Sequence, residues 1–297
     1  MAFTKVEELL EGYARQSETK EFWEYIMEED MRDQQITRAQ SMAHMRELLQ
    51  VMRQTVKSYD AAQCSASGLA GGDGAKLAAA QQAGHTLTNG FVTEAIRIAL
   101  TMAECNACMK RIVAAPTAGS CGVLPAVLLA YETYFGGSTE AFVEALYIAA
   151  VYGQIIANGA SISGAQGGCQ AEIGTASAMA AAALTYLHGG SPEQGANACA
   201  LALKNMLGLA CDPVAGLVEV PCIKRNVAGT VNAIAAAEMA LAGIVSRIPV
   251  DEVIGAMEEV GSLLDKRLRE TGEGGLAATP TARKIQTQLR ELAEKNR

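Results

Sequence analysis

Between residues 74 and 248 the chain alternates apolar runs rich in alanine with short junctions of glycine, serine, threonine and proline. Half of the chain is hydrophobic but only 5% is aromatic, a composition that favours closely packed helices. Most runs begin or end at residues typical of helix boundaries, and no segment alternates as a strand does. The runs lie near residues 88–113, 123–134, 139–157, 172–188, 192–207 and 228–246. The sequence therefore predicts an all-α fold.

The first part of the chain has a different pattern. From residue 18 to residue 60, apolar side chains recur every three or four positions against a strongly charged face, as in an amphipathic helix. Residues 65–74 follow, and their glycine and serine content indicates a loop. We therefore divide the chain into an amphipathic N-terminal helical segment, 1–64, and a single helical domain, 65–297, which ends in a charged amphipathic helix capped at residues 279–281.

Charge and cysteine content exclude some function classes. The formal net charge is −8 and no basic stripe is present, which argues against nucleic acid as a partner. The first residues are acidic where a signal peptide would be apolar. Eight cysteines without export indicate a reducing compartment, where disulfides are rare. We therefore expect a cytoplasmic protein.

Three charge-free stretches are long enough to span a membrane, at residues 112–131, 145–171 and 173–192. Glycine interrupts the first two, together with proline in one and amide side chains in the other, and the third is alanine-rich and weakly hydrophobic. These interruptions favour buried core helices over membrane insertion.

Three of the cysteines lie in segments marked by glycine or proline. Cys169 ends a glycine-rich segment, Cys211 begins the sequence CDPVAG, and Cys222 ends VPC, with 41 and then 10 residues between them. Thiolates on irregular backbone can converge on one place. Three soft ligands without a fourth of the same kind favour an iron–sulfur cluster with one open iron, and an open iron is a Lewis acid. The alternative is that these thiols are only buried.

Polar residues near these segments are candidates for binding. Thr117 and Ser120 join two apolar runs, where free backbone N–H groups could hold a carboxylate, although both residues could simply cap a helix. Lys224 and Arg225 follow Cys222 closely, where positive charge would lower a thiol pKa and balance an anionic cluster or substrate. The alternative is a solvated charge pair at the start of a helix.

Other candidate residues have weaker support. Cys105 and Cys108 form a C-x-x-C pair inside an apolar helical run without a second pair, which is more typical of packed thiols than of a metal site. Among the three histidines, His85 adjoins a loop and is the best placed to act as a general base, although a lone histidine is more often structural.

Three segments carry a family resemblance: APTAGSCGVLPA, SGAQGGCQAEIGTASAMAAAA and CDPVAGLVEVPCIKRN. In this order and spacing they resemble the catalytic alpha subunit of iron–sulfur-dependent L-serine dehydratases, and the resemblance covers approximately residues 68–280. It implies a [4Fe–4S] cluster held by Cys169, Cys211 and Cys222, with the loops of the helical domain converging on it.

The chain departs from some members of that family in two ways. Some relatives carry a fused alpha/beta regulatory domain, which this chain lacks, so the resemblance implies a separate beta subunit and an oligomeric enzyme. Other relatives use a C-terminal cysteine to fill the open iron site at rest, whereas residues 293–297 contain no cysteine.

The resemblance implies β-elimination of water from L-serine, which yields pyruvate and ammonia. The open iron would take the substrate hydroxyl, and Lys224 would balance charge. The base would be His85 or a group of the partner subunit. The hydroxyls expected to orient the substrate are Thr117, Ser120, Ser161 and Ser163. Alternatives are an L-cysteine desulfidase or L-threonine dehydratase with the same kind of cluster, or a non-catalytic helical scaffold.

Overall fold

The computed structural model describes residues 3–295. Within these residues the chain forms thirteen α-helices and no β-strand, so the all-α prediction is confirmed for the described part. In chain order they are α1 (Val6–Ala14), α2 (Phe22–Gln34), α3 (Arg38–Lys57), α4 (Asp73–Gln82), α5 (Phe91–Ala107), α6 (Val123–Phe135), α7 (Thr139–Gly159), α8 (Gly164–Gly167), α9 (Thr175–Leu187), α10 (Pro192–Met206), α11 (Cys222–Leu241), α12 (Val250–Leu263) and α13 (Pro280–Lys295).

Helix α9 forms the centre of the molecule. Every side chain from Thr175 to Thr185 is buried, and α9 packs against α6, α7, α10 and α11. Six alanines, at positions 176, 178 and 180–183, keep the side chains of this helix small on all sides. Small side chains let neighbouring helix axes approach closely, and a helix that is apolar all round is suited to complete burial. The alanine-rich composition is thus explained by a fully enclosed central helix.

The sequence patterns predict the main helices well but not their limits. Each of the six predicted runs overlaps one helix, although α11 begins at Cys222 rather than near residue 228. Sequence analysis does not predict α4, α8 or α12. Helix α4 begins at Asp73, inside the predicted loop, and the buried carboxylate of Glu104 in α5 accepts hydrogen bonds from the Asp73 and Gly74 N–H groups. This cap comes from another helix, so local sequence does not reveal it.

The N-terminal segment is helical, as predicted, but it is not continuous. The chain breaks after α2 at Gln35, whose φ of 55° is left-handed, and Thr37 begins α3 with a capping box to Gln40. Helices α2 and α3 pack on α7, and α1 packs on α10 and α12. Their buried side chains belong to the same hydrophobic core as the rest of the chain. The division at residue 64 stays a prediction.

Helix α7 is the one helix of the described residues that is long and apolar enough to cross a membrane. Of its most apolar window, 67% is buried inside the protein. Its buried residues include Tyr147 and Tyr152, which are fully enclosed. This pattern is typical of a core helix.

We predict that the crossing of α11 with the start of α9 tolerates no added volume. A Cβ atom on Gly229 would lie 2.8 Å from Ile173 Cγ2 and 3.1 Å from Val123 Cγ2. Gly229→Ala should therefore lower the free energy of unfolding by about 1–3 kcal/mol, measured by urea denaturation. Gly255→Ala is the matched control, because that exposed position in α12 has no atom within 4 Å of the added carbon. Equal stability of the two variants would contradict the prediction.

Candidate functional site

The three cysteines singled out in the sequence lie where helices begin or end. Cys169 precedes a single π-helical turn, Gln170–Gly174, that leads into α9. Cys211 lies in the loop after α10, and Cys222 is the first residue of α11. All three side chains are buried, with 2%, 3% and 8% of their surfaces exposed. A π-helical turn is uncommon and frequently marks a functional site.

The structure brings the three thiols into one electrostatic environment. The interaction between Cys169 and Cys211 lowers the pKa of the Cys169 thiol and raises that of Cys211. Burial, together with the charge of Cys169, raises the pKa of Cys222 to about 12. These interactions place the three cysteines near one another, and their role as cluster ligands stays a prediction.

Arg225 contributes the positive charge beside the thiols. Its positive charge lowers the pKa of the Cys169 thiol further. It is held by Asp212, whose Oδ1 lies 2.8 Å from Nη2, and by the Ala210 carbonyl, 2.6 Å from Nη1. Lys224 has a different environment: its ammonium pairs with Asp73 at the start of α4, and its side chain is 57% exposed. Of the two predicted cations, Arg225 is the one at the thiols.

A C-terminal loop is hydrogen-bonded to Cys211. The Cys211 N–H donates to the Leu268 carbonyl at 2.7 Å, and the Glu270 N–H donates to the Cys211 carbonyl at 2.6 Å. These two hydrogen bonds form an isolated parallel β-bridge between Cys211 and Arg269. Glu270 has a left-handed φ of 63°, which costs energy for a residue with a Cβ atom. These bonds hold the Glu270 side chain beside the thiol site.

Glu172 is a site residue that sequence analysis missed. Its Oε1 accepts a hydrogen bond of 2.7 Å from the Thr117 hydroxyl. Burial raises the pKa of Glu172, the Thr117 hydrogen bond partly opposes this, and the nearby Glu270 raises it further. A signal was present in the sequence: Glu172 is the only Asp, Glu, Lys or Arg between residues 145 and 192. An isolated charge in such a stretch is costly unless it has a role.

Glu172, Glu270 and Cys211 converge on Gly164, the first residue of α8. A Cβ atom at Gly164 would lie 2.8 Å from Glu172 Oε2, 2.9 Å from Cys211 Sγ and 3.2 Å from Glu270 Oε2. Only a hydrogen atom fits there without displacing these groups. The glycine-rich segment predicted to approach a ligand thus lets a thiol and two carboxylates meet at its backbone.

The predicted hydroxyl residues lie on two loops. Thr117 and Ser120 form a capping box around a short 3-10 turn, with 3.2 Å between their hydroxyl oxygens, and Ser120 is fully buried. Ser161 caps the backbone of Ser163 at 3.1 Å, and the Ser163 hydroxyl has no hydrogen-bond partner among the described residues. Only Thr117 of this group touches a charged site residue, through Glu172.

The remaining candidates lie elsewhere. His85 is exposed on the loop after α4, and its ring makes no hydrogen bond within the described residues. Cys105 is buried in α5 and donates its S–H to the Thr55 carbonyl at 3.7 Å, and burial raises its pKa to about 11. A neutral, hydrogen-bonded thiol inside a helix is typical of a cysteine that packs in the core and binds no metal.

The donor set at the site fits an iron–sulfur cluster. No group of three or more His, Cys, Asp or Glu side chains within residues 3–295 could hold a single metal ion. In a cluster each cysteine binds a separate iron, so the thiols do not have to meet at one atom. Three buried thiols with one arginine beside them provide soft, anionic ligands and partial charge balance. Cys169, Cys211 and Cys222 are the residues that could hold such a group.

Asn226 joins two of the site segments and was not singled out in the sequence. Its Nδ2 donates to the Gly119 and Cys222 carbonyls at 2.8 and 2.9 Å, and its Oδ1 accepts from the Gly122 N–H at 2.8 Å. The side chain is 1% exposed. It therefore fixes the loop that carries Thr117 against the start of α11.

We predict that Asn226→Asp destabilises the protein, because aspartate keeps the shape but loses both donors. Leaving buried acceptors unpaired should lower the free energy of unfolding by about 1–3 kcal/mol, measured by urea denaturation. Asn89→Asp is the matched control, since Asn89 is exposed and makes no side-chain hydrogen bond to a described residue. A loss no larger than that of the control would show that the three bonds do not hold the loops together.

Comparison with known proteins gives the family of the chain. The model of the serine dehydratase alpha chain family matches residues 17–277. A protein named probable L-serine dehydratase, alpha chain, from Bacillus subtilis (strain 168) is 52% identical over 241 residues, which cover 81% of this chain and 80% of that protein. A protein of the same name from Latilactobacillus sakei is 53% identical over 199 residues, 67% of this chain and 95% of that protein.

Longer relatives match in part. The L-serine dehydratase of Streptomyces coelicolor (strain ATCC BAA-471 / A3(2) / M145) is 45% identical over 181 residues, which are 60% of this chain but only 40% of that protein. All three names contain serine dehydratase, and none favours the alternatives of a desulfidase, a threonine dehydratase or a scaffold. Because the family model covers most of the described residues and includes all three site cysteines, the chain belongs to the serine dehydratase alpha chain family.

Proposed function

We propose that this chain is the catalytic alpha subunit of an L-serine dehydratase, a lyase that converts L-serine to pyruvate and ammonia. The observation that carries the proposal is that three buried thiols lie in one electrostatic environment with Arg225, and that one of them, Cys211, meets two carboxylates at the backbone of Gly164. The high identity to proteins named L-serine dehydratase supports the same reaction.

In this proposal Cys169, Cys211 and Cys222 hold a [4Fe–4S] cluster. Such a cluster, when bound by three thiolates, supplies a Lewis-acidic iron that makes a hydroxyl a better leaving group. The charge of Arg225 favours the thiolate form of Cys169 that binds iron, whereas burial opposes the thiolate form at Cys222.

The reaction breaks two bonds of L-serine. A base takes the Cα proton, the Cβ–O bond breaks, and the hydroxyl leaves as water. The resulting aminoacrylate tautomerises to an imine, whose hydrolysis gives pyruvate and ammonia. We assign substrate orientation to Thr117, Ser120, Ser161 and Ser163. Thr117 is supported by its contact with Glu172. Ser163 is supported by its place before Gly164 and by a hydroxyl that no described residue pairs with.

We also propose where the general base lies and which subunits the enzyme contains. His85 is exposed, and its ring makes no hydrogen bond within the described residues, so we place the base on a separate beta subunit rather than on His85. The name alpha chain borne by close relatives supports such a partner and an oligomeric enzyme. Lys224, paired with Asp73, would act at most through long-range charge. Eight free thiols suit a cytoplasmic location.

The first experiment is anaerobic purification, with the beta subunit co-expressed, followed by iron and sulfide analysis and a substrate panel. We expect brown protein with about four irons per chain, and pyruvate formation from L-serine that exceeds turnover of L-threonine and L-cysteine. Exposure to oxygen should abolish activity. Active protein that contains no iron, or a preference for L-cysteine, would overturn the proposal.

A second prediction concerns the choice of thiols. Cys169→Ala, Cys211→Ala and Cys222→Ala should each lose the cluster absorbance and at least about 10³-fold in kcat, because a catalytic iron needs its ligands. Cys108→Ala is the control: this half-buried thiol follows the last residue of α5 and should be dispensable for iron binding. Loss of iron in the control, or full iron in any of the three variants, would show that other cysteines are the ligands.

A further inference from the structure

Two carboxylates at the site have acceptor atoms that no described residue uses. Glu172 Oε1 accepts the Thr117 hydroxyl, but Oε2 faces Gly164 without a donor. The Glu270 carboxylate also faces Gly164 and makes no hydrogen bond or ion pair within residues 3–295. Carboxylate oxygens so close to one point repel each other, and Glu270 raises the pKa of Glu172 accordingly. A cation between them would remove this cost.

The cations of the protein near this place are engaged elsewhere. Arg225 is bound by Asp212 and the Ala210 carbonyl, and Lys224 pairs with Asp73. Arg269, the neighbour of Glu270, reaches the Gln166 carbonyl with Nη1 at 3.4 Å. The two carboxylates are thus left without a positive partner from the described chain.

The position of Glu270 is maintained against a local preference. Its left-handed φ of 63° is uncommon for a residue other than glycine, and such backbone strain is concentrated at functional sites. The hydrogen bond from its N–H to the Cys211 carbonyl holds it there. Glu172 is held from the opposite side by the π-helical turn and by Thr117.

We propose that Glu172 and Glu270 together bind the α-ammonium group of the amino-acid substrate. This inference rests on the proposed function and names the part of the site that selects amino acids over hydroxy acids and simple carboxylic acids. An ammonium carries three N–H donors and one positive charge, which complement two carboxylates through charge-assisted hydrogen bonds. A molecule without that group leaves both carboxylates without a positive partner and so forgoes these bonds, although Glu172 is only partly buried and Glu270 is exposed.

The pair also orients the substrate. Cys211 Sγ borders the same point as the two carboxylates, so an ammonium held by Glu172 and Glu270 lies next to the thiol site. Two carboxylates repel the substrate carboxylate, which is therefore directed away from them. Both carboxylates are positioning residues for the reaction and bind through charge, not by moving the Cα proton.

The test uses the iron-loaded holoenzyme and compares Glu172→Gln and Glu270→Gln with the wild type. Glutamine keeps the size of the side chain but removes the charge. We expect each variant to raise KM for L-serine at least tenfold while kcat changes much less, because the lost interaction orients substrate in both ground and transition states. Glu273→Gln is the matched control, an exposed glutamate in the same C-terminal loop.

A binding measurement separates this inference from the proposed function, since it requires no turnover. L-alanine and propanoate differ only in the α-ammonium group. The wild type should bind L-alanine at least tenfold more tightly than propanoate in calorimetric titrations of the anaerobic holoenzyme, and both glutamine variants should lose that preference. A wild type that binds L-alanine selectively but does not turn over L-serine would refute the function and leave ammonium binding standing.

Three outcomes would overturn the inference. A fall in kcat of about 10³-fold at unchanged KM in either variant would identify a proton-transfer group instead. An unchanged preference for L-alanine in both variants would exclude ammonium binding. Binding of potassium by the wild type that both glutamine variants lose, with the preference for L-alanine intact, would assign the carboxylates to a metal cation. Iron content is measured for each preparation, and if one variant loses its cluster the other decides the question.

Discussion

Close packing around α9 is the constraint on which the rest of the structure depends. Because this helix carries mainly alanine where it is buried, α6, α7, α10 and α11 can all approach its axis. The start of α9, the start of α11 and the end of α10 then come together, and each carries or adjoins one cysteine of the site. A larger side chain on any of these surfaces would separate the helices and with them the thiols.

The site itself is held by buried polar groups whose bonds cross between segments. Asn226 joins the start of α11 to the loop of Thr117, and Asp212 joins Arg225 to the C-terminal loop through the Leu276 N–H. Gln170 reaches the Met257 carbonyl of α12. Each group is satisfied by partners far away in the sequence, which is the condition under which buried polar groups stabilise a unique arrangement.

Charge at the site is unbalanced in a way that suits its proposed ligands. Cys169 has Arg225 as a partner, and Cys222 lies at the start of α11, the positive end of that helix dipole. Burial nevertheless dominates at Cys222 and raises its pKa. The carboxylates of Glu172 and Glu270 add negative charge beside this group. The positive charge of Arg225 would complement the anionic thiolate ligands of a cluster. The two carboxylates would complement a cationic group of the substrate.

Sequence patterns were sufficient for the helical class, for six of the main helices and for the segments of the three cysteines. Apolar periodicity and helix-breaking residues act locally, so they can be recognised along the chain. The same reasoning failed at Gln35, where a left-handed residue divides the predicted N-terminal helix. It also failed at α4, which begins inside a predicted loop because Glu104 of α5 caps it.

The sequence by itself determined that the chain is helical and that three thiols lie on irregular backbone. Only the tertiary structure decided which charged groups accompany them. Glu270 reaches Cys211 through a backbone bridge between distant segments, and Lys224 turns to Asp73 while its neighbour Arg225 turns to the thiols. Side-chain partners of this kind depend on how whole helices pack, and no local spacing of residues encodes that geometry.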